Sequence, residues 1–181
     1  FTSMRDYHAP LLDASWLDRF AADRIALTDA ASRTAFQKFN ASAELLALAT
    51  RLGAPVVTTL EGRGAIPEDH PLALGPRTER PAVADIIAEA DVVLAVGTRF
   101  QNYSTRVWKL PIPGRIIHLD ADPAVIGLNY PAEVAVVGDA KLGLAALGRR
   151  VAPRTADSGF LDRSEKSVVA DLERSWGEIG P

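Results

Sequence analysis

There is no cysteine in these 181 residues. Disulfides, thiolate metal sites and cysteine nucleophiles are thereby excluded, and a reducing, cytoplasmic setting is expected. No apolar run approaches the roughly 20 residues that a membrane-crossing helix needs, so no membrane partner is expected. Charge of one sign is lacking too: 20 Lys and Arg face 23 Asp and Glu, a net −3. Without a basic face, no nucleic-acid partner is expected. Familiar catalytic motifs are missing as well. The chain has no phosphate-binding P-loop, no G-x-S-x-G elbow and no metal-ligand cluster among its 3 histidines. Glu68 and Asp69 are neighbours in a loop, and adjacency alone does not make an acid–base pair. No catalytic residue and no metal ligand is assigned from the residues. They point to a binding or scaffold domain.

What is present is an ordinary globular composition, 48% apolar and 24% charged. The length suffices for one domain with a proper core. Neither end carries a start or stop signature, and both read as cuts, so a fragment is expected. Five short β-branched runs recur, at 25–28, 55–59, 91–96, 115–119 and 134–137. Several are continuously apolar, as strands buried on both faces require.

Helical patterns alternate with these runs. Residues 41–52 place Leu45, Leu46, Leu48 and Leu52 at helical spacing, with Asn40 or Ser42 as cap and Gly53 just past the end. A second helix opens at Pro81 and runs to about Ala90, with Val83, Ile86 and Ile87 on one face. A short third begins at Asp122-Pro123. The fourth follows Asp139, with Leu142, Leu144 and Leu147 inward and Gly148 closing it. Such alternation predicts an α/β fold: a three-layer, Rossmann-like domain with a parallel sheet of five to six strands and helices on both faces. It occupies residues 25–150. Residues 1–24, with a helix over 16–22, form an N-terminal connector, and 151–181 a linker and a helix over 164–176.

In an open parallel sheet the binding crevice lies beyond the carboxyl ends of the strands. Those ends carry Thr58-Thr59-Leu60-Glu61-Gly62-Arg63-Gly64, Gly97-Thr98-Arg99, Asp120-Ala121-Asp122 and Gly138-Asp139. Glycine lets a ligand approach the backbone, a helix N-terminus favours an anion, and a carboxylate there can hold ribose hydroxyls. Each residue also has a plainer role open to it. Gly62 and Gly64 can simply make a turn, Asp122 and Asp139 can cap helices, and Arg99 can sit in an ion pair. His70 reads as a residue that orders its loop, and 104–108 as a solvent or interface segment.

Four blocks together resemble the central domain of thiamine-diphosphate enzymes of the acetolactate synthase and benzoylformate decarboxylase type. They are Ala43 to Leu72, Ala90 to Phe100, Ile117 to Tyr130 and Val136 to Ala140, in the order and spacing of that family. The resemblance implies a parent that decarboxylates a 2-oxo acid or joins two carbonyl compounds, and that forms homo-oligomers. It also implies two partner domains, one binding the pyrimidine and one the diphosphate of the cofactor. Thiamine diphosphate and Mg²⁺ would lie between those two, not on this chain. Middle domains of the family hold FAD, an adenine nucleotide such as ADP, or nothing. The matching positions are Thr59, Leu60, Gly97, Arg99, Asp120, Ala121, Asp122 and Asp139. Two departures weigh against flavin. Thr28-Asp29-Ala30-Ala31-Ser32-Arg33 stands where the family has a run of glycines, and no glycine precedes Gly53. Leu74-Gly75-Pro76-Arg77-Thr78-Glu79-Arg80-Pro81 replaces the loop of small residues and His found in flavin binders, although Arg77 and Arg80 could serve a phosphorylated ligand. Two further readings share the architecture: a stand-alone adenine-nucleotide module, and a small NAD-dependent oxidoreductase or deacylase.

Overall fold

The computed structural model describes residues 25–29, 41–112 and 115–154, together with 169–170, 173–174 and 177. Among these residues six strands lie in one sheet: β1 Ile25–Asp29, β2 Val56–Val57, β3 Ala73–Gly75, β4 Val92–Val96, β5 Ile116–Asp120 and β6 Val134–Val137. Their order is β3-β2-β1-β4-β5-β6, and every neighbouring pair is parallel. Among the described residues, three helices with described bounds flank them: α1 Ser42–Leu52, α2 Pro81–Ala88 and α3 Ala140–Arg150.

Strand β4 shows why its sequence does not alternate. All five of its residues are buried. Val92, Leu94 and Val96 pack with Leu45 and Leu48 of α1 and Leu144 of α3, while Val93 and Ala95 pack with Val83, Ile86 and Ile87 of α2. Helices therefore cover both faces, and an apolar residue is needed at every position. Burying a side chain such as Leu45, Ile87 or Leu144 contributes about 1.5–3 kcal/mol each.

The helix ends follow local chemistry. Gly53 closes α1 at φ 59°, its N–H donating to the carbonyls of Ala49 and Thr50. At the other end Ala41 is the cap residue and makes no side-chain cap bond, so Ser42 is not the cap, and Asn40 lies outside the described residues. Glu44 in the first turn and Arg51 in the last suit the helix dipole instead. Pro81 opens α2 after an extended Arg80, and the helix stops at Ala88, two residues short of the prediction. The Asp139 carboxylate accepts from the Leu142 amide at 2.9 Å and caps α3.

Two expectations for α3 need correcting. Leu144 is fully buried but Leu142 is 70% exposed. Residues two apart are about 200° apart around a helix, so both cannot face inward. Gly148 does not end the helix, which continues to Arg150 with Val151 as its cap. Gly143 matters more: a Cβ there would lie 2.7 Å from Cδ2 of the fully buried Leu119. Glycine is what lets α3 come this close to β5.

The third helix predicted at Asp122-Pro123 is a series of turns. The Asp122 side chain accepts from the Ala124 amide at 2.9 Å, and Gly127 at φ 72° takes the chain out of any helical path. Strand β3 was not expected, because three residues at a sheet edge give no periodic signal. The helix predicted over 16–22 and the turn at 30–33 lie outside the described residues. So does most of the helix predicted over 164–176, of which the described positions are helical.

Candidate functional site

The strand order reverses between β1 and β4, because β2 and β3 lie on one side of β1 while β4 to β6 lie on the other. This is the switch point at which open sheets bind ligands, beyond the strands' carboxyl ends. Register fixes what stands there. Val57, Thr28, Ala95, His118 and Ala135 lie side by side across the sheet. Two residues further along come Thr59, Gly97, Asp120 and Val137, and two beyond the last three of these stand Arg99, Asp122 and Asp139. At a strand spacing of about 4.8 Å, the ends of β2 and β6 are roughly 19 Å apart.

Gly97, Asp120 and Asp139 therefore stand at the ends of three adjacent strands. Gly97 holds φ 61° and donates its N–H to the Leu119 carbonyl at 2.7 Å. Asp120 accepts from the Asp122 amide at 2.8 Å, and its carbonyl accepts from the Gly138 amide at 2.9 Å. Each of Asp120, Asp122 and Asp139 thus has one carboxylate oxygen bonded to a nearby backbone amide. Ala121 and Asp122 are exposed. The Arg99 side chain is exposed too, while its carbonyl accepts from Asn129 Nδ2 at 2.7 Å.

Thr59 and Leu60 stand apart from these, past β2 on the far side of β1. The Thr59 hydroxyl accepts from the Gly62 amide at 3.1 Å, and Leu60 is 53% exposed. Gly62 and Gly64 make turns here, the latter at φ 80°. Further on, Arg63 pairs with Glu68 through contacts of 2.9 and 2.8 Å. His70 orders this loop, Nδ1 accepting from the Leu72 amide at 3.2 Å. Arg77 is half-buried, with Cζ 4.0 Å from where a Cβ on Gly75 would lie.

Reading the sequence alone missed the residues that hold the β4–β5 side together. His118 is fully buried in the middle of β5. Its Nε2 lies 2.8 Å from the Thr98 carbonyl, and its Nδ1 accepts from the Gly127 amide at 3.3 Å. Burial holds its pKa below the ordinary imidazole range, against smaller opposing effects of the Thr98 carbonyl and Asp120. Phe100 meets the ring edge-on at 5.5 Å and touches Tyr130 at 5.0 Å. Burial pushes the Tyr130 phenol up, and its hydroxyl donates to the Leu110 carbonyl at 3.2 Å. A histidine inside the apolar run Ile116 to Leu119 was the available signal.

The segment after Phe100 is compact and strained. Arg106, Val107 and Trp108 all have φ between 54° and 59°, a region that is costly for a β-branched residue. Thr105, 1% exposed, stabilises this turn: its hydroxyl donates to the Gln101 carbonyl at 2.8 Å and accepts from the Trp108 amide at 3.1 Å. Tyr103, Val107 and Trp108 stay exposed. Elsewhere, a cleft of about 310 Å³ between α1 and α3 is lined by Leu48, Arg51 and Leu144, away from the strand ends. Among the described residues no three of His, Asp or Glu could together hold a metal ion.

Comparison with known proteins gives the arrangement a family. Residues 34–147 match the family described as "Thiamine pyrophosphate enzyme, central domain". A probable acetolactate synthase large subunit of Methanocaldococcus jannaschii is 47% identical over 104 residues, 56% of this chain and 18% of that protein. A probable 2-ketoarginine decarboxylase of Pseudomonas aeruginosa is 41% identical over 116 residues, 63% of this chain and 20% of that protein. The sulfoacetaldehyde acetyltransferase of Roseovarius nubinhibens is 32% identical over 201 residues, 96% of this chain and 32% of that protein. The chain thus spans between 18% and 32% of the length of these relatives.

Proposed function

Because the chain belongs to the thiamine pyrophosphate enzyme central-domain family, we propose that it is the middle domain of an enzyme acting on 2-oxo acids. Residues 25–150 form that domain in this reading, and 1–24 and 151–181 connect it to its neighbours. The reaction would be a decarboxylation, a carboligation or an acetyl transfer, as the names of its relatives suggest. Thiamine diphosphate supplies the stabilised carbanion in such chemistry. The crevice residues do not fit that cofactor or its Mg²⁺: their carboxylates, Asp120 and Asp122 after β5 and Asp139 after β6, are each bonded to a backbone amide. The pyrimidine- and diphosphate-binding domains would hold it, in a cytoplasmic homo-oligomer.

This domain's own role is to bind an adenine nucleotide at the switch point. Gly97 and Asp120 at the ends of the adjacent strands β4 and β5, with Asp139 two residues past the end of β6, support this best. One oxygen of each carboxylate is anchored, and the other is suited to ribose hydroxyls. Arg99 offers an exposed guanidinium for a phosphate, with Arg77 further along the sheet. ADP and FAD both carry a pyrophosphate, and the sequence from Thr28 to Arg33 offers it no glycine, so the phosphate partners in this reading are Arg99 and Arg77.

A thermal-shift titration with ADP, FAD, CoA and, as control, thiamine diphosphate plus Mg²⁺ tests this. A ligand at a hundredfold excess over Kd should stabilise the chain by about 2.7 kcal/mol. ADP should raise the midpoint and thiamine diphosphate should not. Asp120→Asn keeps an acceptor for the Asp122 amide but loses the charge, and should weaken ADP about tenfold. A response to thiamine diphosphate alone would overturn the assignment, and silence with every nucleotide would leave a packing domain.

A further inference from the structure

The contacts between the two loops beside the crevice form a closed set that nucleotide binding does not itself require. One loop follows β4 and carries Gly97, Thr98 and Arg99, and the other follows β5 and carries Asp122, Gly127 and Asn129. His118 sits beneath both, bonded to Thr98 in one and Gly127 in the other. Nδ1 accepts an N–H from Gly127, so Nε2 must carry the proton and donate to the Thr98 carbonyl. The other neutral tautomer would break both contacts, and an imidazolium would set two N–H groups against each other at Gly127. Asn129 adds a second tether to the Arg99 carbonyl at 2.7 Å. The Thr98 hydroxyl accepts from the Phe100 amide at 3.0 Å, which fixes the backbone on which Arg99 is carried.

We propose that His118 is a positioning residue of the crevice: as the Nε2-protonated imidazole, it locks the Thr98–Phe100 backbone against the 121–130 loop and so sets the spacing between Arg99 and the Asp120 and Asp122 carboxylates. The ligand part of this proposal rests on the adenine-nucleotide reading. The clamp itself does not. His118 never touches the ligand, so its effect on affinity passes wholly through the loops.

The test uses the full chain with ¹⁵N-labelled histidine, and the variants H118N, H118Q and H118F. Asparagine can replace the acceptor at Nδ1, glutamine the donor at Nε2, and phenylalanine only the volume. Near neutral pH the His118 spectrum should show a protonated Nε2 and a bare Nδ1. The Gly127 amide should exchange about tenfold faster in H118F, as expected for one lost hydrogen bond, and be protected again in H118N. ADP, the probe ligand, should bind about tenfold more weakly to H118F, and H118Q should regain most of that. An Nδ1-protonated ring or an imidazolium would overturn the proposal. So would H118F speeding exchange at Leu94 and Leu119 as much as at Gly127, which is the signature of a residue that only fills the core. If the unmodified chain binds no ADP, the nucleotide reading fails alone, and the tautomer and the Gly127 exchange still decide whether the clamp exists.

Discussion

On the β2 side of the crevice, the loop over 58–72 is braced by Arg63 and Glu68, whose side chains are each about half in water, 50% and 48% exposed. On the β4–β5 side, the corresponding segments are braced by Thr98, Thr105 and His118, none more than 3% exposed. Both walls have short, well-aligned contacts. Their surroundings differ, and that decides their worth. An exposed ion pair trades protein contacts for water and is screened by salt, so it contributes about 0–1 kcal/mol. A buried donor or acceptor that loses its partner has no water to turn to, which costs about 1–3 kcal/mol. The β4–β5 wall should therefore be the fixed one, and the β2 wall the adjustable one.

The contrast can be broken most severely at Thr105. Thr105→Val keeps the shape but leaves the Trp108 amide without its acceptor and removes one of the donors to the Gln101 carbonyl, and should destabilise the chain by about 2 kcal/mol in denaturant unfolding. Acid attacks the same wall. With its folded pKa below about 6.5, His118 stays neutral in the native state while the unfolded chain takes up a proton. Its contribution is complete above about pH 6.5 and falls away as the pH drops through the folded value, at no more than about 1.4 kcal/mol per pH unit. Thermal melts of H118Q against the parent chain should show that component vanish. Val107→Gly sharpens the comparison from the other direction, by relieving left-handed strain on the fixed wall. It should raise stability by about 1 kcal/mol, net of the extra freedom of the unfolded chain. The smallest effect is expected on the adjustable wall. Arg63→Gln should leave the denaturant midpoint nearly unchanged, and fully unchanged at high salt. A loss there as large as that at Thr105 would sink the distinction between the walls.

Much of the fold was legible in the sequence because it is written in local pattern. The unbroken apolar run in β4, Gly53 after α1, Pro81 at the start of α2 and Asp139 before α3 each act within a turn or a strand. The errors fall where a neighbour decides. Leu142 looks like a core leucine until the approach of α3 to β5 fixes which side of the helix faces inward. Asp122-Pro123 looks like a helix start until Gly127 is bound to His118. In the site, the polar residues at the strand ends could be named from the sequence. Their restraints could not, since Thr98 to His118 spans 20 residues and Arg99 to Asn129 spans 30. Such pairs carry no periodic signal, and only the folded sheet brings them together.

The missing side chain at Gly143 has a mechanical consequence. With Leu119 filling the space where a Cβ would go, α3 and β5 are keyed together and cannot slide or roll past one another without a collision. Asp139 rides at the head of that helix and His118 sits one residue from Leu119 in that strand. A side chain at residue 143 would have to displace Leu119 or lift α3 from β5.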